Sequence, residues 1–324
     1  MSCRPTVLFI LGPTATGKTA LALEVARLLD GEVISADSRQ AYRGLEVGTA
    51  APTPSERAAV PHHGVAFLQP GERYGAGRFA RLCRRWASDI EARGRVPIIT
   101  GGTGFFVRAL MQPVFREPDL DVERRSSLES CLSELPLEDV RRWVQRLDPA
   151  MGVRLPVVDR QRAGRTLELA LMTGRSLTWW QRHAPPEAEA LRGRVWVLQL
   201  EAEVHRARIE KRVRVMLDSG WVDEVESLVS SGHGLDSPAM TSIGYAHVWR
   251  FARGEISRDE AVKAIVGDTW QYARRQRTWF RHQLEDEAFR VQANTDTEEL
   301  AQRIAADWTQ STAPDDISEE QRRS

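Results

Sequence analysis

The sequence is poor in lysine and cysteine and carries no net charge. Lys and Arg together number 45, equal to Asp and Glu, and only three are lysines: Lys18, Lys211 and Lys263. The cysteines are also three and scattered: Cys3, Cys83 and Cys131. This excludes a disulfide framework or a cysteine metal site and favours a cytoplasmic protein. No apolar run approaches the ~18 residues that a membrane span needs, so we expect a soluble globular protein without a membrane partner.

The first hundred residues alternate between short apolar runs and amphipathic segments. Residues 6–11 (TVLFIL), 32–36 (EVISA) and 96–100 (VPIIT) are each typical of a buried strand. Helical spacing over residues 18–29 and 78–92 separates them, with a proline-containing loop region before residue 75. Strands joined by helices of this length predict right-handed crossovers and a parallel sheet.

The character of the sequence changes between residues 114 and 194. This stretch is rich in Glu, Arg and Leu, and helical spacing covers residues 122–135, 137–147 and 161–173. A further strand over residues 195–200 (VWVLQL) returns to the sheet, and helices follow over 202–219, 221–231 and 258–284. We therefore predict a core of residues 1–113 and 195–310, a helical insertion domain of residues 114–194, and a disordered polar tail over 311–324.

A phosphate-binding loop lies between the first predicted strand and helix. The stretch GPTATGKT fits G-x-x-x-x-G-K-[ST] in the context that this motif requires. Its glycines allow backbone N–H groups to point inward, and the helix N-terminus adds partial positive charge. Lys18 supplies a full charge for the terminal phosphates, and the Thr19 hydroxyl can ligate Mg²⁺. The predicted phosphate-binding residues are Gly12, Pro13, Thr14, Ala15, Thr16, Gly17, Lys18 and Thr19. The fold class is thus α/β, a P-loop NTPase-like parallel sheet flanked by helices with a mainly helical insertion.

Two other strand ends come to the same edge of such a sheet, where ligands bind. The second strand is followed by Asp37, Ser38, Arg39 and Gln40, and the third by Gly101, Gly102 and Thr103. Asp37 is placed to act as a general base or an outer ligand of Mg²⁺, although a turn or capping role also fits the residue. Thr103 could donate to a phosphate oxygen.

Three arginine clusters suggest contacts with phosphate groups. Arg208 and Arg212 share a helix face and form either a clamp on a diphosphate or a solvated surface. The stretch RRQRTWFR at residues 274–281 interleaves arginines with aromatics. This pattern fits a surface that contacts RNA, and it also fits a surface helix whose aromatic side chains are buried. Residues 160–165 form the third cluster. The seven histidines form no metal set, and the adjacent His62 and His63 suit a loop or packing role.

These motifs together resemble the tRNA dimethylallyltransferase (isopentenyl-tRNA transferase) family. The matching stretches are GPTATGKT (12–19), DSRQAYRGLEVGTA (37–50), VPHH (60–63), VPIITGGTGF (96–105), DPAMGVRLPVVDRQRAGRTLEL (148–169), RIEKRVRVMLDSGWVDEV (208–225), SIGY (242–245) and RRQRTWFR (274–281). They occur in the order that the family has and span residues 6 to 285. GPTATGKT alone is shared with many kinases, whereas the whole set is much more specific.

The resemblance implies transfer of a dimethylallyl group from dimethylallyl diphosphate to N6 of the adenine 3′ of a tRNA anticodon. It implies that Asp37 acts as general base on a flipped-out adenine, since N6 must reach a buried donor. It also implies that Thr19 holds Mg²⁺, while Lys18, Thr103 and Arg212 stabilise the departing diphosphate.

The resemblance further implies that the insertion contacts the anticodon stem-loop. We expect a monomer. The residues expected to bind tRNA are Asp37, Ser38, Arg39, Gln40, Gly101, Asp121, Gln161, Arg162, Arg165, Gly244, Tyr245, Arg274, Arg275 and Gln276.

Four positions depart from the pattern of the family. Ala51 replaces a usual Lys, Ala66 a usual Asp, Phe106 a usual Tyr, and Ala246 a usual Lys or Arg. Two of these changes remove positive charge, so they bear on RNA affinity or substrate choice more than on the chemistry.

Three alternatives share part of this evidence. An ATP-dependent small-molecule or nucleotide kinase explains the phosphate loop but not the helical insertion. A non-catalytic RNA-binding protein does not explain why Lys18, Thr19 and Asp37 are all present. An adenylate isopentenyltransferase acting on free nucleotides is closer, but the insertion and its basic clusters favour tRNA.

Overall fold

The computed structural model describes residues 6–112, 114–155, 159–284, 288–293 and 295–312. The strands are β1 (Val7–Leu11), β2 (Gly31–Ser35), β3 (His62–His63), β4 (Val96–Gly101), β5 (Gly193–Gln199) and β6 (Phe289–Gln292). The helices are α1 (Lys18–Leu28), α2 (Pro54–Ala59), α3 (Ala76–Ala92), α4 (Gly104–Met111), α5 (Val122–Glu134), α6 (Leu137–Leu147), α7 (Pro149–Arg154), α8 (Arg160–Thr173), α9 (Leu177–His183), α10 (Ala202–Asp218), α11 (Trp221–Ser230), α12 (Tyr245–Ala252), α13 (Arg258–Gln283) and α14 (Thr297–Thr312).

The six strands form one sheet in the order β3-β2-β4-β1-β5-β6, and every pairing is parallel. Every residue of β1 and β2 is buried. A parallel sheet is covered on both faces, which explains why β1 is an unbroken apolar run and why even Glu32 and Ser35 of β2 are buried. The predicted α/β class with a parallel sheet is confirmed.

The chain divides into two compact units, residues 1–111 with 191–324 and residues 112–190. In the first unit, β1 packs with α1 and α14 around Leu8, Ile10, Leu21 and Trp196. Burying one such aliphatic side chain contributes about 1.5–3 kcal/mol.

The second unit consists of α5 to α9. Its core contains Leu132, Val140, Val144, Ala163 and Leu167. Over its described residues, 112, 114–155 and 159–190, the only β-structure is an isolated bridge between Phe115 and Pro186.

Several short elements were not predicted from the sequence. These are α2, α4, α7, α9, α12, β3 and β6, together with the longer α14, which packs against α1. The first two residues of the predicted disordered tail, Ser311 and Thr312, belong to α14. The rest of that tail, residues 313–324, lies outside the described residues, as does Cys3.

Candidate active site

Three loops of the first unit meet where neighbouring strands end. β4 lies between β2 and β1 in the sheet, with Thr100 in register with Ser35 and Gly101 in register with Leu11. Asp37 therefore follows β2, Gly102 and Thr103 follow β4, and the phosphate loop follows β1, all at the carboxyl edge. This is the edge at which parallel sheets bind ligands.

The phosphate loop (residues 12–19) connects β1 to α1, and Lys18 begins that helix. Thr16 Oγ1 and Lys18 Nζ both donate to the Pro13 carbonyl, at 2.9 and 2.6 Å. Burial lowers the pKa of Lys18 to about 7; the positive charge of Arg212 acts in the same direction, and Asp37 opposes it. A polyanion placed beside Lys18 would restore its charge, because an opposite charge favours the ionised form.

Gln276 connects the phosphate loop to the loop after β4. Its Oε1 accepts from Thr14 N–H at 2.9 Å, and its Nε2 donates to the Gly102 carbonyl at 2.7 Å. Only 6% of Gln276 is exposed. A Cβ at position 102 would lie 2.4 Å from Gln276 Nε2, so glycine permits this contact. Both ends of the Gln276 amide are thus used between the two loops, and its expected contact with RNA stays a prediction.

His205, which was not predicted, holds the same loop from α10. The residue is fully buried, and its Nε2 lies 2.7 Å from the Thr14 carbonyl. A carbonyl only accepts, so Nε2 carries the proton. Burial lowers the pKa of His205, which keeps the ring neutral. Gln276 thus binds the backbone N–H of Thr14, and His205 binds its carbonyl.

Asp37 organises the turn after β2. Its Oδ1 accepts from the backbone N–H groups of Arg39 and Gln40, at 2.8 and 3.4 Å. The Ser38 N–H donates to Thr103 Oγ1 at 3.3 Å, which joins this turn to the loop after β4. Burial raises the pKa of Tyr272 to about 12, and the negative charge of Asp37 adds to the rise, so Tyr272 also faces this region.

Arg39 and Gln40 support this turn through their side chains. Arg39 donates to the Pro238 carbonyl and to Thr241 Oγ1. Gln40 accepts from Ser35 Oγ at 2.9 Å and donates to the Ala50 carbonyl at 3.2 Å. These two side chains therefore tie the turn after β2 to neighbouring segments of the first unit. Their contact with RNA stays a prediction.

Arg212 brings positive charge to the same edge from α10. Its Nη2 donates to the Thr49 carbonyl at 3.0 Å. Burial lowers the pKa of Arg212, while the nearby Asp37 raises it. Its neighbour on the helix, Arg208, donates to the Ala293 carbonyl instead. Asp37, Lys18 and Arg212 are thus close enough to interact electrostatically, as a site for an anionic leaving group requires.

Gly244 and Tyr245 are buried, which the sequence did not predict. Tyr245 is fully buried, and its hydroxyl lies 2.7 Å from Glu224 Oε1 and 3.3 Å from the Leu45 carbonyl. Its side chain is enclosed in a core that contains Trp221. In the protein the Tyr245 side chain therefore has a packing and hydrogen-bonding role, and Gly244 is buried directly before it; contact of these two residues with RNA stays a prediction.

Arg274 and Arg275 are exposed on α13, where they lie between the half-buried Tyr272 and the buried Gln276. The Arg275 guanidinium lies 5.8 Å from the centre of the Tyr272 ring. The same helix therefore presents arginines outward while Gln276 reaches the phosphate loop.

The second unit carries the other predicted RNA-binding residues. Gln161 and Arg162 are exposed at the start of α8. Asp121 caps α5 by accepting from Arg124 N–H at 2.8 Å. Arg165 is paired with Glu168 and, at 2.6 Å, with Glu117. Contact of these residues with RNA stays a prediction.

The four departures differ in their surroundings. Phe106 is buried, stacked on Phe79 with ring centres 4.4 Å apart and edge-on to Tyr74, so the ring packs without a hydroxyl. Ala66 has a φ of +47°, a left-handed conformation that Asp or Asn adopts more easily. Ala246 is exposed and Ala51 half-buried.

The histidine pair belongs to the sheet. His62 and His63 form β3, and His63 Nε2 lies 2.7 Å from the buried Glu32. Among the described residues, no group of three His, Cys, Asp or Glu side chains could hold a metal ion. In the same part of the chain, no helix combines the length and apolarity of a membrane span.

Comparison with known proteins gives a consistent result. The IPP transferase family matches residues 40–283, and the isopentenyl transferase family matches residues 5–61. A tRNA dimethylallyltransferase from Syntrophobacter fumaroxidans is 40% identical over 300 residues, which cover 92% of this chain and 86% of the relative. These proteins are prenyl-transferring enzymes, and the kinase alternative finds no support among them.

Solved structures are similar to nearly the whole chain, as two examples show. The tRNA delta(2)-isopentenylpyrophosphate transferase of Staphylococcus epidermidis has a TM-score of 0.67 and 29% identity, covering 95% of this chain and 100% of its own. A eukaryotic dimethylallyltransferase acting on tRNA has a TM-score of 0.80, covering 96% of this chain and 81% of its own. At 22% identity, this second likeness supports the fold alone.

Proposed function

This chain belongs to the IPP transferase family, and we propose that it transfers a dimethylallyl group from dimethylallyl diphosphate to tRNA. The acceptor is N6 of the adenine on the 3′ side of the anticodon, and diphosphate is released. The observation that carries the proposal is the meeting of Asp37, Thr103, Lys18 and Arg212 at one edge of the sheet, beside a phosphate loop. A base for the acceptor and cations for the leaving group thus lie side by side.

In the proposed reaction, the bond between the allylic carbon and the diphosphate oxygen breaks, and its electron pair leaves with diphosphate. A bond forms between that carbon and N6 of adenine, and N6 gives a proton to the Asp37 carboxylate. Lys18, Arg212 and the Thr103 hydroxyl stabilise the charge that develops on the leaving oxygen. The target base must leave the stack of the RNA, because N6 cannot otherwise reach a donor held in the protein.

We propose that Thr19 is the protein ligand of Mg²⁺. Its hydroxyl is a hard oxygen donor on the first turn of α1, next to Lys18. Mg²⁺ is commonly held by one or two protein oxygens together with substrate phosphates and water, which suits a region without a cluster of acidic ligands among its described residues. When bound, the ion would neutralise charge on the diphosphate.

RNA contacts are proposed for the exposed arginines Arg274 and Arg275 of the first unit, and for Gln161 and Arg162 of the second. The protein would act as a monomer in the cytoplasm, where its substrate tRNA is present. Because arginine–phosphate contacts release counterions, tRNA binding should weaken steeply with salt.

The test is to incubate the protein with Mg²⁺, dimethylallyl diphosphate and unmodified tRNA, then digest the RNA. Mass spectrometry should find an adenosine heavier by one dimethylallyl group. A parallel reaction with ATP and no RNA serves as the control for a kinase. Nucleotide turnover in that control, without prenylated adenosine in the first reaction, would refute the proposal.

A further inference from the structure

Glu224 on α11 binds a loop that in turn contacts Arg212 and Gln40 of the candidate active site. Its Oε2 accepts from Val47 N–H at 2.7 Å, and its Oε1 accepts from Gly48 N–H at 2.9 Å. The Tyr245 hydroxyl adds a third contact with Oε1 at 2.7 Å. Residues 47–50 are called the support loop below. The carboxylate thus fixes the first half of the support loop with both oxygens.

Packing holds the support loop against the same part of the core. A Cβ at position 48 would lie 2.1 Å from Trp221 Nε1 and 2.5 Å from the Tyr245 hydroxyl. Only glycine fits there, so the backbone of the support loop lies directly on these two buried rings. Burial raises the pKa of Glu224, and the N–H groups of Gly48 and Val47 with the Tyr245 hydroxyl oppose the rise.

The second half of the support loop contacts residues of the candidate active site. The Thr49 carbonyl accepts from Arg212 Nη2 at 3.0 Å and from Gln40 Nε2 at 3.4 Å. The Ala50 carbonyl accepts from the same Gln40 nitrogen at 3.2 Å. The backbone N–H of Gln40 contacts Asp37 Oδ1. One short loop therefore orients the cation proposed for the leaving group and the turn that carries the proposed base.

We propose that Glu224 is a positioning residue, which holds the support loop so that the Thr49 carbonyl directs Arg212 toward the diphosphate. The role of Arg212 rests on the proposed function. The Glu224 carboxylate is engaged by the support loop and by the Tyr245 hydroxyl, so we expect it to contact neither substrate. It aligns the leaving-group site through the backbone N–H groups of Val47 and Gly48, the two residues that precede Thr49, whose carbonyl Arg212 contacts.

The test measures binding of inorganic diphosphate to the full-length protein by calorimetry. Glu224→Gln keeps the size of the side chain but offers an NH₂ group to N–H donors, so one backbone contact is lost. We expect the affinity for diphosphate to fall about tenfold, the effect of losing one buried hydrogen bond. Glu226→Gln makes the same charge change at an exposed position of α11 and should leave the affinity unchanged.

A double-mutant cycle separates positioning from general loss of stability. If Glu224 acts through Arg212, then Glu224→Gln should have little further effect on diphosphate affinity in an Arg212→Ala background. Additive losses in the double variant, or an unchanged affinity in Glu224→Gln alone, would overturn the proposal. Should Glu224→Gln fail to fold, Glu224→Asp keeps the charge and shortens the reach, and the same loss and the same cycle apply.

The outcome for diphosphate binding is independent of the RNA reaction. A wild-type protein that prenylates tRNA, with a Glu224→Gln variant that binds diphosphate normally, would refute the inference alone. A wild-type protein that yields no prenylated adenosine, with the expected loss in Glu224→Gln, would refute the proposed function and leave the positioning role supported.

Discussion

Replacing Gln276 by methionine tests whether this residue joins the phosphate loop to the loop after β4. The change keeps the length of the side chain but removes the acceptor for Thr14 N–H and the donor to the Gly102 carbonyl. Each buried group left without a partner costs about 1–3 kcal/mol, so two cost roughly 2–6 kcal/mol. Methionine recovers part of this by burying an apolar chain, and we expect a net loss of about 3 kcal/mol.

Two measurements check this expectation for Gln276→Met. Denaturant unfolding gives the loss of stability, and hydrogen exchange reports whether the Thr14 amide has lost its acceptor. Exchange at Thr14 should become at least several-fold faster, while amides in the middle of β1 change only as much as global stability does. Gln271→Met, at an exposed position of the same helix, is the matched control for helix propensity. A stability within about 0.5 kcal/mol of the wild type, the scale of ordinary surface substitutions, or an unchanged Thr14 amide would refute the bridging role.

Three further predictions follow from the same contacts. Asp37→Asn keeps an acceptor for the turn but cannot take a proton, so turnover should fall about 10²–10⁴-fold with tRNA binding retained; equal losses in both would contradict the base role. The pKa of Lys18 is about 7 without a ligand, so much of this side chain is neutral near pH 8. Binding of inorganic diphosphate without metal should raise that pKa, and the wild type should therefore take up more protons on binding than Lys18→Arg does. The contribution of Lys18 to the affinity should decline as the pH rises through the raised pKa of the bound state. Calorimetry in two buffers measures this uptake, and equal uptake by both proteins would count against it. Burial opposes ionisation of Glu32, but hydrogen bonds from Arg93, His63 and Arg95 outweigh it and lower its pKa. Glu32→Gln should therefore lose about 1–3 kcal/mol of unfolding free energy at neutral pH. The difference should shrink as the pH falls below the ordinary pKa of a glutamate and the wild-type carboxylate gains its proton; a difference independent of pH would contradict this prediction.

The sequence predicted those parts of the site that are formed by neighbouring residues. The phosphate loop is a contiguous motif between a strand and a helix, and Asp37 and Thr103 were found because they directly follow buried strands. The parallel sheet itself was predictable, since strands separated by helices leave few topologies. Local pattern was sufficient in each of these cases.

The supporting residues were not predictable because their contacts join distant parts of the chain. Gln276 lies 262 residues from Thr14, His205 lies 191 residues from it, and Glu224 lies 177 residues from Val47. No periodicity or spacing indicates such pairs. The burial of Tyr245 was equally hard to predict, because the SIGY stretch fits both a binding motif and a buried packing position, and the structure shows that the side chain is buried.

The most direct test of the central claim compares two tRNAs that differ at one nucleotide. The first carries adenine immediately 3′ of the anticodon, and the second carries guanine there. With dimethylallyl diphosphate and Mg²⁺, we expect one dimethylallyl group per tRNA on that adenine in the first RNA, located by mass spectrometry of nuclease fragments, and none in the second. Modification at another position, equal modification of both RNAs, or none in either would contradict it.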